Sequence, residues 1–252
     1  MKIIGHRGCG ADRPENTAAS LRHALALGVD GVEVDVWPTQ DEGFVLLHDA
    51  DVRALTGERG WPIHLNQTVL QQVDVGVRFG RGYEGERIIS LEQALEIIDG
   101  RIEVFLELKR TRHDEQSLEW VEPRLAEVLR AHGAVPWTVV ISFDHRSLLA
   151  LKACAPDIRI GMLYAGEWLN MWDEVALLAP SVLLPHWAQT TRALVQRAHA
   201  QALPVLPWIV NQEYVLERLC DVGVDGVVTD FPEQCAQQLV ALGAEQRDEE
   251  EV

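Results

Sequence analysis

Gly31-Val32-Glu33-Val34-Asp35-Val36-Trp37-Pro38-Thr39-Gln40-Asp41-Glu42-Gly43-Phe44-Val45-Leu46-Leu47-His48-Asp49 is the stretch on which the reading of the fold turns. Residues 31–36 alternate valines with carboxylates, the period-two pattern of a strand. Val32, Val34 and Val36 then share one face, and Glu33 and Asp35 share the other. A second apolar run follows at 44–48. Only eight residues lie between Val36 and Val45, whereas a parallel crossover takes roughly a dozen or more. Asp41-Glu42-Gly43 is turn chemistry. The second run is therefore predicted to fold back antiparallel on the first, with a turn at Asp41-Glu42 that sets His48 opposite Asp35.

Outward from this hairpin, short β-rich runs alternate with helical patterns. Strands are predicted at 2–5, 31–36, 103–108, 138–142, 158–163, 181–185, 204–209 and 225–229. Asn16-Thr17 can cap a helix over 18–27 that Gly28 stops, and Ser90 with Gln93 forms a capping box for 91–98. Further helices are predicted at about 116–132, 145–153, 168–179, 190–201, 212–221 and 232–242. Eight alternating βα units define an α/β chain folded as a single closed (β/α)8 TIM barrel. The antiparallel hairpin follows its second strand, and a glycine-rich insertion at about 49–89 is too long to be an idle connection. No composition break marks a second domain. One barrel domain over 1–244 and an acidic, disordered tail over 245–252 are expected.

The bulk properties restrict the partners. A net charge of −17 and a pI near 4.9 argue against nucleic acid and give no help at anionic membranes. No apolar run is long enough to span a bilayer, and no apolar leader follows Lys2. Cys9, Cys154, Cys220 and Cys235 have no CxxC spacing and read as free thiols, which suits a cytoplasmic location.

The chemistry lies at the strand ends. Lys2-Ile3-Ile4-Gly5-His6-Arg7-Gly8 places a proton carrier and a fixed cation where a barrel enzyme does its work. Glu107 ends the run 102–108 with Lys109 on its own face. Three carboxylates converging at a barrel mouth repel by up to ~4 kcal/mol per close pair at an effective dielectric near 20. A hard divalent cation removes that cost, and an all-oxygen donor set from Glu33, Asp35 and Glu107 points to Mg²⁺ or Ca²⁺. Two histidines, His6 and His48, beside such a cation suit phosphodiester cleavage. One takes a proton from the nucleophile while the other protonates the leaving alkoxide. Arg7 and the metal hold the phosphate, with Lys109 a further phosphate contact. Trp208, at a strand end, is a candidate wall of the substrate pocket. The remaining histidines are taken as structural, His186 being the first exception to look for. No GxxxxGK[ST], HExxH or GxSxG motif is present.

With these residues in hand, the chain resembles the glycerophosphodiester phosphodiesterase family of the phospholipase C-like superfamily. The matching segments are His6-Arg7-Gly8 with Pro14-Glu15-Asn16-Thr17, Glu33-Val34-Asp35-Val36, His48-Asp49, Ser90-Leu91-Glu92, Glu107-Leu108-Lys109, Ser142-Phe143-Asp144, Trp208-Ile209-Val210-Asn211, and Gly223-Val224-Asp225-Gly226 with Thr229-Asp230-Phe231-Pro232. They follow the family's order over nearly the whole chain. The resemblance implies a TIM barrel that hydrolyses glycerophosphodiesters, such as glycerophosphocholine or glycerophosphoethanolamine, to sn-glycerol 3-phosphate and an alcohol. It also implies one divalent cation on Glu33, Asp35 and Glu107, His6 and His48 as the acid/base pair, and phosphate contacts from Arg7 and Lys109. The attacking group is either the substrate's own 2-hydroxyl or a water. The family usually has Thr where Ile209 stands, and its RTT-like stretch reads Arg53-Ala54-Leu55-Thr56 here. Neither departure touches the expected ligands.

Two other readings compete. A lysophospholipase D-type enzyme acting on monoacyl lipids would need an apolar groove, for which Trp61, Trp168, Trp172 and Trp187 are the candidates. A catalytically dead barrel that only binds phosphodiesters would have no use for both histidines.

Overall fold

The computed structural model describes residues 1–53, 60–110 and 119–250, with side chains described as far as 243. Seven strands lie parallel in one sheet: β1 (Lys2–Gly5), β2 (Gly31–Pro38), β4 (Glu103–Leu108), β5 (Thr138–Ser142), β6 (Arg159–Tyr164), β7 (Val182–Pro185) and β8 (Gly226–Thr229). The short β3 (Phe44–Leu46) pairs antiparallel with β2 alone. The spatial order is β7-β6-β5-β4-β2-β1-β8, so sequence neighbours are spatial neighbours.

The ring closes through residues 204–210. On one side Leu206 N donates to Leu183 O (2.9 Å) and Trp208 N to Pro185 O (3.0 Å). On the other, Val210 N donates to Val228 O (2.8 Å) and Val228 N to Pro207 O (2.9 Å). Pro204 and Pro207 have no N–H to give, so this eighth stave is held by isolated bridges instead of a continuous ladder. The eight-strand barrel expected from the sequence is the fold observed.

Among the described residues, the helices of two turns or more that follow the strands are α1 (Ala18–Leu27), α2 (Leu91–Ile98), α3 (Val121–Ala131), α4 (His145–Cys154), α5 (Met171–Leu178), α6 (Arg192–His199), α7 (Glu213–Val222) and α8 (Pro232–Glu250). Thr17 caps α1 by accepting from Ser20 N, and Gly28 ends it in the left-handed region. Ser90 and Gln93 complete the capping box of α2. α8 runs past the end expected near 242, since Ala, Glu, Gln and Arg there sustain a helix.

Two apolar layers fix the barrel. Val32, Val34, Val36, Val104, Leu106 and Leu108 face outward into the helix layer. Ile4, Phe105, Val139, Ile141, Leu163, Leu184, Leu206 and Val228 fill the interior. Each such side chain stabilises the fold by roughly 1.5–3 kcal/mol relative to exposure. Glu33 and Asp35 alternate with the outward valines and so point inward, above the apolar plug.

The hairpin forms as read, but in a different register. Val36 pairs with Leu46, Trp37 with Val45 and Pro38 with Phe44. Leu47, not His48, stands opposite Asp35 and donates to its carbonyl (3.1 Å). The turn uses three residues, Gln40-Asp41-Glu42, between Thr39 and Gly43, with Glu42 in the left-handed region (φ 59°). Asp41 Oδ1 pins this wider turn by accepting from Thr39 Oγ1 (2.7 Å) and Gln67 N (2.9 Å).

The described part of the insertion consists of single turns at Pro62–His64, Gln67–Leu70, Gly76–Arg78 and Arg81–Tyr83. It packs a small core of its own, with Leu70 and Ile88 against Trp37, Val45, Leu47 and Val52. Residues 54–56 of the variant RTT-like stretch lie outside the described residues.

Candidate active site

The turn after β1 brings the first cations to the mouth. Arg7 sits at φ 51°, which lets its N–H donate to Glu33 Oε2 (3.0 Å). Gly5 makes this turn possible, because a Cβ there would lie 1.9 Å from the Gly8 carbonyl oxygen. His6, Arg7, Glu33, Asp35, His48, Glu107, Lys109 and Trp208, all singled out from the sequence, line one cavity at the C-terminal ends of the strands. Ile141, Phe143, Leu163, Leu184, Ile209 and Val228 complete it. Ile209, where the family usually has Thr, is thus a pocket residue.

Glu33, Asp35 and Glu107 are buried and offer carboxylate oxygens that all lie within 4.8 Å of one another. Lys109 Nζ spans two of them, at 2.8 Å from Asp35 Oδ1 and 2.7 Å from Glu107 Oε1. Arg7 Nε is 3.3 Å from Asp35 Oδ2, and its Nη1 is 2.8 Å from Glu15 Oε2. Asn16 clasps Asp35 from the other side, donating Nδ2 to Oδ2 (2.8 Å) and accepting Asp35 N at Oδ1 (3.1 Å).

This arrangement divides the carboxylates electrostatically. Burial pushes Glu33 well above the ordinary carboxylate range, and the charges of Asp35 and Glu107 push the same way. Glu107 is raised to about 7 by burial, with Lys109 opposing and Asp35 adding. Burial also acts on Asp35, but Lys109 and Arg7 outweigh it and hold that carboxyl below its usual value. Two cations for three buried acids leave the cluster short of positive charge. Glu33 Oε1 has no hydrogen-bond partner among the described residues. A hard cation fits this oxygen donor set.

The two histidines differ. His6 is largely buried, and its Nδ1 is 2.6 Å from Asp230 Oδ1, while Nε2 lies 3.8 Å from Glu33 Oε2. A carboxylate only accepts, so Nδ1 is the donor of this pair, and in the neutral ring the lone pair falls on Nε2. Asp230 is itself held by Asn211, whose Nδ2 donates to Oδ2 (2.6 Å) and whose Oδ1 accepts Asp230 N (3.0 Å). His48 is more exposed and pairs with its neighbour Asp49 (Nδ1 to Oδ1, 3.0 Å). His186 does not reach the cavity: its ring accepts from Ala188 N (3.2 Å) and stands edge-on to Trp208 (5.1 Å). Trp208 both packs on the interior cluster and walls the cavity, its Nε1 donating to Leu184 O (2.9 Å).

Sequence reasoning assigns no role to Glu15, Asn211 or Asp230, and to Asn16 only that of a helix cap. Asn16 and Asp230 have a visible signal: each sits in a short polar run at the start of a helix, directly beyond an apolar strand or turn. What they touch is decided across 19 residues for Asn16–Asp35 and 224 for His6–Asp230, which no local pattern contains.

Strand-end chemistry of this kind makes the molecule a TIM-barrel hydrolase in architecture. The model of the glycerophosphoryl diester phosphodiesterase family matches residues 6–234, and the chain belongs to that family. A glycerophosphodiester phosphodiesterase from Caldanaerobacter subterraneus subsp. tengcongensis is 31% identical over 232 residues, covering 92% of this chain and 94% of the relative. The crystal structure of a putative glycerophosphoryl diester phosphodiesterase from Silicibacter pomeroyi superimposes with a TM-score of 0.88 at 27% identity, covering 96% and 94% of the two chains. An Oleispira antarctica phosphodiesterase, solved in complex with the product sn-glycerol-3-phosphate, has a TM-score of 0.86 at 28% identity and covers 95% and 96%. Among the described residues, no helix is long and apolar enough to cross a membrane.

Proposed function

We propose that this chain is a metal-dependent glycerophosphodiesterase that hydrolyses deacylated phospholipids, such as glycerophosphocholine or glycerophosphoethanolamine, to sn-glycerol 3-phosphate and the head-group alcohol. The observation that carries the reading is the convergence of His6 and His48 on one cavity with the Glu33/Asp35/Glu107 cluster and the two cations Arg7 and Lys109. The catalytic unit is the barrel domain over residues 1–244, and four unpaired cysteines support a reducing, cytoplasmic setting.

Glu33, Asp35 and Glu107 would hold one Mg²⁺ or Ca²⁺, which when bound supplies positive charge for the nonbridging phosphate oxygens. Arg7 and Lys109 orient the phosphate and offset the charge that builds on it. His6, fixed by Asp230 with Nε2 free, takes the proton of the attacking hydroxyl. The imidazolium so formed is stabilised by the Asp230 carboxylate. His48 delivers a proton to the leaving alkoxide. Trp208 and Phe143, whose rings meet edge-on at 5.4 Å, wall the glycerol side and exclude water from it. Retention of both proton carriers beside the acids supports an active enzyme over a binding-only barrel.

The test is release of glycerol 3-phosphate from glycerophosphocholine, with EDTA and then with Mg²⁺ or Ca²⁺ restored. Release that EDTA abolishes and either ion rescues is expected. Release indifferent to EDTA would refute the metal assignment, and binding without release under every ion would favour the inactive barrel.

A further inference from the structure

A second cavity adjoins the catalytic one at His48, which lines both. It is the larger of the two, about 240 Å³ against 90 Å³. Its lining comes from the β1–α1 loop, the β2–β3 hairpin and the insertion. Leu46, Leu47 and Ile88 are buried beneath it, and Val75 and Phe79 join them from the insertion. Phe79 is 41% exposed and adds an aromatic ring to these aliphatic walls. The polar side chains of the lining are already engaged. Asn16 commits both ends of its amide to Asp35. Glu15 is tied to Arg7 (2.8 Å) and Asp49 to His48 (3.0 Å), and both carboxylates stand at the rim, with side chains 48% and 70% exposed. Arg78, the arginine of the lining, also interacts within the protein already.

The position of His48 decides what this cavity is for. A histidine that protonates the leaving alkoxide has the alcohol's carbon chain directly beyond that oxygen. Trp208 and Phe143, on the glycerol side, take no part in the second cavity. The departing head group therefore has the second cavity in front of it. A polyol or a primary ammonium entering there exchanges hydrogen bonds with water for contact with Leu46, Leu47, Val75 and Ile88, which return none. A trimethylammonium group has no N–H or O–H to leave unsatisfied. Its methyls suit the aliphatic walls, and its charge suits an aromatic ring. Glu15 and Asp49 outnumber Arg78 in the lining, and a chain of net charge −17 favours a cation at its surface. We propose that the cavity beyond His48 is the head-group subsite and that it selects a quaternary ammonium alcohol, with Phe79 as the specificity-determining residue. The inference rests on the glycerophosphodiesterase reading and deepens it by naming the head group that the site prefers.

The experiment compares the full-length wild type with Phe79→Leu and Val77→Ser, with Mg²⁺ or Ca²⁺ present. It measures kcat/KM on glycerophosphocholine, glycerophosphoethanolamine, glycerophosphoglycerol and glycerophosphoserine. In parallel, calorimetry follows the binding of phosphocholine and phosphoethanolamine, which carry the phosphate and head group without the glycerol. We expect both choline compounds to lead their ethanolamine counterparts by about five- to tenfold, and Phe79→Leu to remove most of that lead. Val77 is exposed beside Phe79 but outside the lining, so Val77→Ser should keep the lead. Equal handling of all head groups, with glycerol 3-phosphate still released, would overturn the subsite alone. A lead that survives Phe79→Leu, or that Val77→Ser removes as well, would take the role from Phe79. A preference for glycerophosphoserine that Arg78→Gln abolishes would overturn the proposal in favour of an anionic head group held by Arg78. Phosphocholine binding that depends on Phe79, without turnover of any substrate, would fault the catalytic reading while leaving the subsite assigned.

Discussion

At the scale of the residue, the site is a set of buried groups that hold one another in unequal states. His6 depends on Asp230 for its tautomer and orientation. Asp230→Asn keeps the shape but offers an amide in place of the carboxylate, which favours the wrong tautomer. It is expected to lower kcat by about 10²-fold or more, with a much smaller change in KM. A kcat within about twofold of wild type would remove Asp230 from the mechanism. Asp49→Asn is the useful control, since Asp49 is largely exposed.

The same scale fixes a pH dependence. Glu107 has an ordinary value of 4.5 and is raised to about 7, first by burial. The folded state therefore holds this proton more tightly than the unfolded state does. The resulting stability is fully present below about 4.5 and is lost as pH rises through about 7. Glu33 is displaced in the same direction. EDTA-treated protein should thus lose thermal stability between pH 5 and 8, and Glu107→Gln should lose less. A wild-type melting curve that is flat or rising across this window would contradict the assignment. Because a ligand carboxylate must be deprotonated, cation affinity should climb over the same range.

At the scale of the element, the β2–β3 hairpin sets where His48 stands. Side chains alternate along a strand, so a one-residue change in register reverses every face. The three-residue turn at Gln40-Asp41-Glu42 puts Leu47 opposite Asp35 and into the small core of Trp37, Val52, Leu70 and Ile88. His48 then falls just past the paired stretch, at the cavity. Asp41→Ala removes the carboxylate that pins the three-residue turn to Thr39 and Gln67, and a slip to the two-residue turn, with Gln40 opposite Gly43, would shift Leu47 out of that core. Turnover should fall by at least about tenfold, and the melting temperature by several degrees, as a buried leucine is exposed. Unchanged turnover would mean that the hairpin register does not position His48.

At the scale of the whole molecule, the barrel is a stack in which an apolar plug supports a charged rim. Gly161 on β6 faces that plug, and a Cβ there would lie 2.7 Å from Val182 Cγ1 and 2.9 Å from Ile141 Cγ2 and Leu184 Cδ1. Gly161→Ala should cost about 1–3 kcal/mol by overpacking, read as a lower denaturant midpoint. Neutral or improved stability would show that the interior is looser than these contacts imply. The acidic surface also matters at this scale. With a net charge of −17, the protein repels anionic substrates at long range, so Arg7 and Lys109 have to act locally inside the mouth.

Much of this was legible in the chain. The alternation Val32-Glu33-Val34-Asp35-Val36 fixes which side chains enter the barrel, because a strand has a period of two and only one of its faces can be apolar against the helices. The spacing of strands, the Ser90 capping box and the Thr17 cap are local, and local physics placed them correctly. Even the stave at 204–210, broken by two prolines, was visible as an apolar run between helices. Three things were not. The extra turn residue depends on Asp41 reaching Gln67, a contact across 26 residues. The Asp230–His6 pair joins the two ends of the chain, as ring closure brings β8 beside β1. The unequal proton affinities of Glu33, Asp35 and Glu107 follow from burial and from where Lys109 comes to rest. The sequence determined which groups enter the mouth, since that is a matter of periodicity. Tertiary structure alone decided how they pair and how tightly each holds its proton, since Coulomb energy and desolvation depend on distance and depth in the folded chain.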